Sequence, residues 1–401
     1  MKHSIILLLT IISLSLFSQE KIQWRGDRTG IYNETNLLKS WKPEGPKMLW
    51  HFDGLGEGHS SVAIANNKIY VTGLVNGQGH IFVFDMSGLL LNNSTYGPEW
   101  SKNYNGSRST VTISDGKLYI YSGLGTLTCL DENSLKILWK KNIVDDFKGS
   151  NIMWGVNESP LIVGEKVILT PGGKENNVVA LDKNTGKTIW VCSGEGDVPA
   201  YCSPLYISDI EVPQIVTMTA KHILGIDAKT GQKLWSYEYH NSRNIHPNTP
   251  IYSDNKLLCI SGYGKGAIML QLSNGGRKVE KIWENKEFDP KTGSAVKIGD
   301  YIYGSGDNNK YWLCLEWNTG IQTYSDKSIA VGNVIAADNM LYCYSEKGDM
   351  ALVKPNPEKF EIVSKFKITL GTEQHWAHPV INQGVLYVRH GNTVMAYDVK
   401  R

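Results

Sequence analysis

The chain has no concentration of charge of one sign. Its 401 residues include 41 Lys and Arg against 39 Asp and Glu, for a formal charge of +2, and no basic run interrupts this balance. Proteins that bind nucleic acid concentrate Lys and Arg in patches that neutralise phosphates. The composition therefore argues against nucleic acid as the main partner.

Long apolar runs and hydrolase motifs are also missing. The longest apolar stretch, Ile5–Phe17, is shorter than the about 20 residues that a membrane-spanning helix needs. Neither a G-x-S-x-G nucleophile elbow nor an H-E-x-x-H zinc motif occurs. We therefore expect no transmembrane segment, and nothing in the sequence indicates hydrolysis.

The first 18 residues have the organisation of a secretory signal peptide. Lys2 and His3 form a short basic end, and the apolar stretch Ile5–Phe17 follows. No Cys directly follows that stretch, so we expect no lipid anchor. The mature protein is predicted to be periplasmic or secreted.

Cysteine is scarce, with six residues in the chain. Four lie inside apolar strand-like stretches, where Cys commonly serves as a small core residue: Cys129, Cys259, Cys314 and Cys343. Cys192 and Cys202 flank one connection between repeats, and an oxidising compartment would permit them to pair. Sequence spacing leaves that pairing open, because it does not show whether the two Cβ atoms face each other.

A repeat of β-type sequence is the main positive feature. Its best copies are LDKNTGKTIW (Leu181–Trp190), IDAKTGQKLW (Ile226–Trp235) and LDENSLKILW (Leu130–Trp139), each with an Asp eight residues before a Trp. Eight aromatic residues mark the ends of eight units, about 40 to 50 residues apart: Trp50, Trp100, Trp139, Trp190, Trp235, Trp283, Tyr324 and Phe366. Repeats of this length that contain several strands are typical of a β-propeller.

Both ends of the chain indicate how the propeller closes. The last unit, Ala377–Lys400, is one strand short, and the strand Lys47–Phe52 has no unit before it. Pairing the two would remove an open sheet edge. We predict an all-β, eight-bladed β-propeller of four-stranded antiparallel blades, closed by N- and C-terminal strands in one blade. The predicted organisation is a signal peptide (1–18), an N-terminal segment (19–41) and a single propeller (42–401).

The repeated turn residues have a structural interpretation. Asp182 can accept hydrogen bonds from the backbone of its own turn, and Gly186 can adopt a positive φ. Trp190 ends the outer strand, where its flat side chain can pack between neighbouring blades.

Candidate site residues come from the loops that lead into the innermost strands, because these loops surround one mouth of the central channel. The candidates are His59, Arg108, Trp154, Asn157, Glu158, Tyr201, His246, His375, Trp376 and His378. Aromatic groups beside His, Arg and Glu suit a sugar, a quinone or a peptide terminus. Two alternatives stay open: Trp154 and Trp376 only fill a wide channel, or His375 and His378 contribute to a transition-metal site.

The xDxxTGxxxW turn resembles the repeat of quinoprotein propellers, which are named for pyrroloquinoline quinone (PQQ). The opening WRGDRTGI (Trp24–Ile31), followed by GPKMLW (Gly45–Trp50), is similar to the start of exported bacterial PQQ-like repeat proteins. Members are likened to quinoprotein alcohol dehydrogenases or to the propeller lipoprotein of the β-barrel assembly machinery. The resemblance implies the propeller fold and covers essentially the whole mature chain.

Resemblance to the dehydrogenases further implies PQQ and Ca²⁺ in the funnel. Trp154 would then stack on the quinone, Asn157 and Glu158 would hold calcium, and Arg108 or a His would polarise the quinone oxygen. The chain lacks the adjacent Cys pair of those enzymes, and no Asp base is assigned.

These departures favour a binding or scaffold protein, expected to be a monomer, whose funnel holds a small molecule such as a sugar or quinone, or a protein segment. The alternative is a PQQ- and calcium-dependent alcohol or sugar dehydrogenase, which would make the chain a quinoprotein oxidoreductase.

Overall fold

The computed structural model describes residues 22–292 and 295–401, and the predicted signal peptide lies outside them. Within these ranges the chain forms eight sheets, seven of four strands and one of five, arranged as the blades of a propeller. The predicted eight-bladed β-propeller is confirmed.

Two short strands, β1 (Ile31–Tyr32) and β2 (Met48–Phe52), precede the first complete blade. Blade 1 comprises β3 (Ala63–Ala65), β4 (Lys68–Val75), β5 (Gln78–Asp85) and β6 (Leu90–Pro98), and blade 2 comprises β7 (Thr112–Ser114), β8 (Lys117–Tyr121), β9 (Thr126–Asp131) and β10 (Ile137–Asn142). Blade 3 comprises β11 (Leu161–Val163), β12 (Lys166–Leu169), β13 (Val178–Asp182) and β14 (Thr188–Cys192), and blade 4 comprises β15 (Leu205–Ile207), β16 (Gln214–Met218), β17 (His222–Asp227) and β18 (Lys233–Glu238). Blade 5 comprises β19 (Ile251–Ser253), β20 (Lys256–Ser261), β21 (Gly266–Ser273) and β22 (Lys278–Asn285), and blade 6 comprises β23 (Ala295–Ile298), β24 (Tyr301–Ser305), β25 (Trp312–Glu316) and β26 (Gln322–Asp326). Blade 7 comprises β27 (Gly332–Ala337), β28 (Met340–Ser345), β29 (Asp349–Lys354) and β30 (Glu361–Lys367). Blade 8 contains β31 (Val380–Asn382), β32 (Val385–His390) and β33 (Thr393–Asp398).

Blade 8 is closed by both ends of the chain, as the sequence predicts. Its strand order is β2-β33-β32-β31, and β2 runs antiparallel to β33 with Met48 opposite Tyr397 and Phe52 opposite Val394. The outer strand of the last blade therefore comes from the start of the propeller, and the ring has no free edge at this junction.

Helical structure is minor. In the described ranges it consists of α1 (Ile143–Asp146), a π-helical turn at Gly26–Gly30 and a 3-10 turn at Asn274–Gly276. Across the same ranges, no helix has the length and apolarity needed to cross a membrane.

The repeated Asp closes its own turn, as expected. Oδ1 of Asp182 accepts hydrogen bonds from the backbone N–H groups of Asn184 and Thr185, at 3.0 and 2.8 Å, and from the Thr185 hydroxyl at 2.8 Å. These donors, with the Thr185 hydroxyl first, lower the pKa of Asp182. Asp131 makes the corresponding bonds in blade 2.

The repeated Gly has a second role, which is contact with the Trp of the preceding blade. Gly186 has φ +69°, and a Cβ placed on it would lie 2.8 Å from Cε3 of Trp139. The same relation joins Gly231 to Trp190, where the distance to Cδ2 would be 2.7 Å. Each Gly therefore leaves room for the ring that packs one blade against the next, and this is why Gly and Trp occur together in the repeat.

Replacing Gly186 by Ala is expected to lower the free energy of unfolding by about 2–4 kcal/mol, because left-handed strain and overpacking against Trp139 add. Gly164 in the same blade is a matched control, since its φ is +56° and nothing lies within 4 Å of a Cβ there. Gly164→Ala should lose only about 1–2 kcal/mol. Urea unfolding of both variants measures the difference, and equal losses would show that the Trp contact contributes nothing.

The apolar core lies between blades, and it contains the cysteines. All six are buried and free. Cys192 packs with Trp190 in the cluster between blades 3 and 4, whereas Cys202 packs with Met218 in the next cluster. The disulfide considered from the sequence is therefore not formed, because the two thiols belong to different interblade layers.

An N-terminal segment, residues 22–32, runs through the central channel and is called the plug below. Ile22 pairs with Ile113 of the inner strand of blade 2, and Oε1 of Gln23 accepts a hydrogen bond from the Ile162 N–H of blade 3 at 3.2 Å. At its other end, β1 runs parallel to β27 of blade 7, with Ile31 opposite Ala336.

Two buried arginines attach the plug to opposite sides of the channel. Arg25 donates to the carbonyl groups of Ala295 in blade 6, at 2.9 Å, and Val334 in blade 7, at 3.2 Å. Arg28 donates to the carbonyl groups of Ser159 and Pro160 at blade 3, at 3.0 and 2.9 Å. The channel is thus filled by the chain itself.

Candidate functional site

A cavity of about 410 Å³ occupies one mouth of the channel. It is bordered by the loops that lead into the inner strands, and Trp24 of the plug lines it together with His378 and Thr292. Its volume falls within the about 300–1,000 Å³ typical of small-molecule sites. Because the plug occupies the channel, the cavity is a pocket rather than a pore.

Seven of the ten residues predicted from the sequence line this cavity: His59, Arg108, Trp154, Asn157, Tyr201, Trp376 and His378. They come from five loops distributed around the ring, so the closed propeller brings together residues that are far apart in sequence. Glu158, His246 and His375 do not line it.

Aromatic rings form a continuous wall, called the aromatic arc below. The ring centroids of His59 and Trp376 are 5.2 Å apart, and those of Trp376 and Tyr104 are 5.1 Å apart. Trp154 follows at 6.1 Å from Tyr104, and Tyr201 at 6.2 Å from Trp154. The arc therefore passes from blade 8 over blade 2 to blade 4, and all five of its residues line the cavity.

Three tyrosines at the cavity have strained backbones. Tyr104, Tyr201 and Tyr263 have φ values of +53°, +72° and +61°, and among the described residues they are the aromatic residues with positive φ. All three line the cavity. Such a conformation costs about 1–3 kcal/mol for a non-glycine residue and concentrates at functional sites.

The charge of the cavity wall is positive. Arg108, Arg243 and Lys291 line it, and its lining residues include no Asp or Glu. Burial lowers the pKa of Arg108 to about 10, so the side chain stays charged at neutral pH. Arg108 donates to the Tyr104 carbonyl, and Lys291 forms an ion pair with Asp307 at 3.1 Å.

The two cavity histidines are neutral. Burial lowers the pKa of His59 to about 3, and the positive charges of Arg108 and Arg389 act in the same direction. Burial also holds the pKa of His378 well below its usual value. Nε2 of His378 donates to the Thr292 carbonyl at 2.9 Å, which leaves Nδ1 as a buried acceptor with no partner among the described residues.

His246 is a structural residue rather than part of the cavity wall. Its side chain is buried, Nδ1 lies 3.0 Å from the Ser261 hydroxyl, and Nε2 lies 3.2 Å from the Ala220 carbonyl. Both ring nitrogens are therefore satisfied in the neutral form. Pro247, its neighbour, borders the cavity instead.

His375 also faces elsewhere. It stacks on His390 with ring centroids 3.6 Å apart, and its Nδ1 is hydrogen-bonded to the Tyr344 hydroxyl. The spacing of His375 and His378 does not bring their rings to a common metal site, because only His378 lines the cavity.

Glu158 is buried beside the cavity. It accepts a hydrogen bond from the Thr170 N–H at 2.7 Å, and burial raises the pKa of its carboxyl to about 7. Since the unfolded carboxyl titrates near 4.5, the folded state holds the proton between about pH 4.5 and 7 while the unfolded state loses it. Stability arising from the neutral carboxyl is lost as pH rises through this window.

Glu158→Gln is expected to remove this pH dependence, because the amide oxygen can still accept from Thr170 but carries no charge. Relative to the parent, the variant should gain about 1–3 kcal/mol of unfolding free energy between pH 4.5 and pH 8. Denaturant unfolding at both pH values measures the change. A constant difference would contradict a raised pKa.

Several lining residues were missed by the sequence interpretation. They are Trp24, Tyr104, Ser159, Arg243, Ile245, Tyr263, Lys291 and Thr292. Tyr263 could have been found, because it lies in the turn between the second and third strands of blade 5, and antiparallel strands place that turn at the same end as the start of the inner strand. Trp24 gave no such signal, since the path of the plug depends on contacts with distant blades.

The residues present do not fit the calcium and PQQ pair that the resemblance implies. Asn157 and Glu158 both border a second cavity of only about 10 Å³, and Glu158 does not reach the large one. Calcium takes about six to eight oxygen ligands, usually including carboxylates, whereas the large cavity has a cationic wall without a carboxylate. In the described ranges, no group of three or more His, Cys, Asp or Glu side chains is placed to hold a metal ion.

Fold and cavity together define a closed eight-bladed propeller with a plugged channel and a single-ended aromatic pocket. The family model described as outer membrane protein assembly factor BamB matches residues 91–323, which is more than half of the chain. The chain belongs to this family, and the resemblance inferred from the repeat is confirmed.

Proteins similar to this chain include quinoprotein dehydrogenases and BamB proteins. Quinoprotein ethanol dehydrogenase of Pseudomonas aeruginosa is 35% identical over 253 residues, covering 56% of this chain and 37% of that protein. BamB from Moraxella catarrhalis superposes with a TM-score of 0.65 at 15% identity, covering 88% of this chain and 99% of the other. A europium-containing methanol dehydrogenase gives 0.68 at 14% identity, covering 92% and 90%.

The structural likenesses show the fold alone. The chain spans 15% to 65% of the length of the curated relatives that it matches. Their activities are therefore not carried over to this chain by the match itself.

Proposed function

We propose that this protein is an exported binding protein, whose small ligand or partner segment occupies the cavity at the channel mouth. The single observation that carries the proposal is the convergence of the aromatic arc, a cationic wall and three strained tyrosines on one pocket. Strained residues persist only where the surrounding structure holds them, and they cluster where ligands bind.

Support also comes from unsatisfied groups at the cavity. Nδ1 of His378 and Oδ1 of Asn157 are buried without partners among the described residues. Leaving such an atom unpaired costs about 1–3 kcal/mol, so native proteins rarely do so without a reason. A ligand that donates hydrogen bonds to these buried atoms after a small side-chain movement would recover part of that energy.

The rival function, a PQQ- and calcium-dependent dehydrogenase, is favoured by the similarity to a quinoprotein ethanol dehydrogenase. It is opposed by the donor set at Asn157 and Glu158, which borders a cavity with room for little more than one water molecule. A titration with PQQ and Ca²⁺, followed by calorimetry, separates the two functions. Saturable binding that requires both components would favour the dehydrogenase.

Ligand capture tests the proposed function directly. Purified protein comprising residues 19–401 is equilibrated with small molecules and peptides extracted from the periplasm of the producing bacterium, washed, denatured and examined by mass spectrometry. Wild type should retain a specific compound, and the double variant Trp154→Ala, Trp376→Ala should not. Trp139→Phe is the control, because Trp139 packs between blades 2 and 3 and does not line the cavity. Its indole N–H donates a hydrogen bond to the backbone carbonyl of Lys183.

Two outcomes would overturn the proposal. One is that wild type retains nothing beyond the double variant; the other is that Trp139→Phe abolishes retention equally while melting like wild type. Cell fractionation of the full-length chain tests export. If the protein is exported, it should be found in the periplasm or the medium.

A further inference from the structure

We propose that the ligand of this cavity is an acidic sugar, a ring bearing several hydroxyl groups and one carboxylate. This inference rests on the proposed function and specifies its ligand. Three features of the cavity are each complementary to one chemical group of such a molecule.

The aromatic arc requires a ligand with a flat, partly apolar face. Trp376 and Trp154 are only partly buried, so both retain exposed surface. The indole of Trp376 contacts the rings of both His59 and Tyr104, which hold it within the aromatic arc. Both rings line the cavity, and the C–H face of a pyranose packs on aromatic rings while its hydroxyl groups stay at the edge.

Unpartnered acceptors require hydroxyl groups. Nδ1 of His378 is an acceptor because Nε2 carries the proton that is donated to Thr292. Oδ1 of Asn157 is an acceptor by its chemistry, and both ring nitrogens of His59 are buried without a partner of good geometry. Since a neutral imidazole has one acceptor nitrogen, the residues that line the cavity carry three buried, unpartnered acceptors, which a ligand reaches after small side-chain movements. Sugar hydroxyl groups donate to them, whereas an aromatic polycarboxylate has too few donors.

The cationic wall requires a negative charge. Arg243 is exposed at the cavity, and its guanidinium has no hydrogen bond or ion pair recorded with the described residues. Lys291 is already paired with Asp307, and Arg108 already donates to backbone carbonyl groups. Arg243 is therefore the side chain available to bind a ligand carboxylate, which guanidinium groups bind through two parallel hydrogen bonds.

Calorimetric titration of residues 19–401 tests the inference with four sugars: galacturonate, glucuronate, galactose and glucose. At least one uronate should bind about tenfold or more tightly than its neutral counterpart, and added salt should reduce that ratio. Arg243→Gln should reduce this ratio to about one. Trp376→Leu should weaken acidic and neutral sugars alike.

Arg277→Gln is the matched control, because Arg277 is an exposed arginine paired with Glu211 at 2.8 Å and does not line the cavity. It should behave as wild type. Equal affinity for acidic and neutral sugars, or tighter binding of benzenetricarboxylate than of any uronate, would overturn the inference.

Failure of the inference and failure of the proposed function remain distinguishable. If no uronate binds but ligand capture returns another compound that needs Trp154 and Trp376, the acidic-sugar assignment is wrong and the binding function stands. If capture returns nothing, both are wrong.

Discussion

A chain that begins at Gly54 is expected to fail to fold cooperatively. This truncation removes β2, leaves β33 as an exposed edge, and empties the channel of the plug. It also removes Trp50, whose ring stacks on Phe84 of blade 1 with centroids 6.1 Å apart and bridges to Tyr387 of blade 8. Because a propeller depends on each blade packing against two neighbours, loss of this junction exposes apolar faces on both sides.

Size-exclusion chromatography and thermal unfolding followed by circular dichroism measure the effect. We expect aggregation, or a broad transition at a much lower temperature than that of the chain with residues 19–401.

A circular permutant separates closure from plugging. The Asp398 N–H donates to the Lys47 carbonyl at 2.8 Å, so a short linker can join Arg401 to Lys47 and form a β33–β2 hairpin. The permutant begins at Gly54 and ends at Asp53; it keeps β2 and omits residues 19–46. It should fold cooperatively with reduced stability, since the bonds of Arg25 and Arg28 to three blades are missing. A permutant no better folded than the truncation would show that the plug, rather than closure, is decisive.

Arg389→Met is expected to reduce the free energy of unfolding by about 3–5 kcal/mol. Arg389 lies in β32 of blade 8 and is 1% exposed. It donates to the Gly391 carbonyl at 2.9 Å and reaches across to blade 1, where it donates to the Ser60 hydroxyl at 2.5 Å and the Thr72 carbonyl at 2.6 Å. Methionine fills much of the same volume but removes these hydrogen bonds from a buried site.

Guanidinium chloride unfolding measures this loss. Arg277→Met is the control, because Arg277 lies on the surface. The control should change stability by less than about 0.5 kcal/mol. A loss below about 1 kcal/mol for Arg389→Met would contradict a role for this side chain in joining blades 8 and 1.

The features that can be predicted from the sequence are those formed by local interactions. Asp182 bonds within four residues of itself, and the alternation of strands and turns repeats in every blade. The number of blades and their closure followed from counting such units and finding one incomplete. Blade order also places inner-strand loops at one mouth, which is why seven of ten candidate residues were found.

Tertiary structure decided which side chains inside those loops face the cavity. His246 and His378 both precede a proline, yet His246 binds Ser261 and Ala220 while His378 borders the cavity beside Trp24. The orientation of each ring depends on polar partners supplied by other segments, and no local pattern records those partners.

The sequence by itself determined the repeat, the eight blades and their closure, because period-two alternation and turn chemistry act over a few residues. Only the tertiary structure decided the plug, the cationic aromatic cavity and the free state of Cys192 and Cys202. Arg28 bonds to Pro160 across 132 positions, and Arg25 to Val334 across 309. Contacts at such separations arise when the ring closes, since closure brings all eight inner strands around one axis.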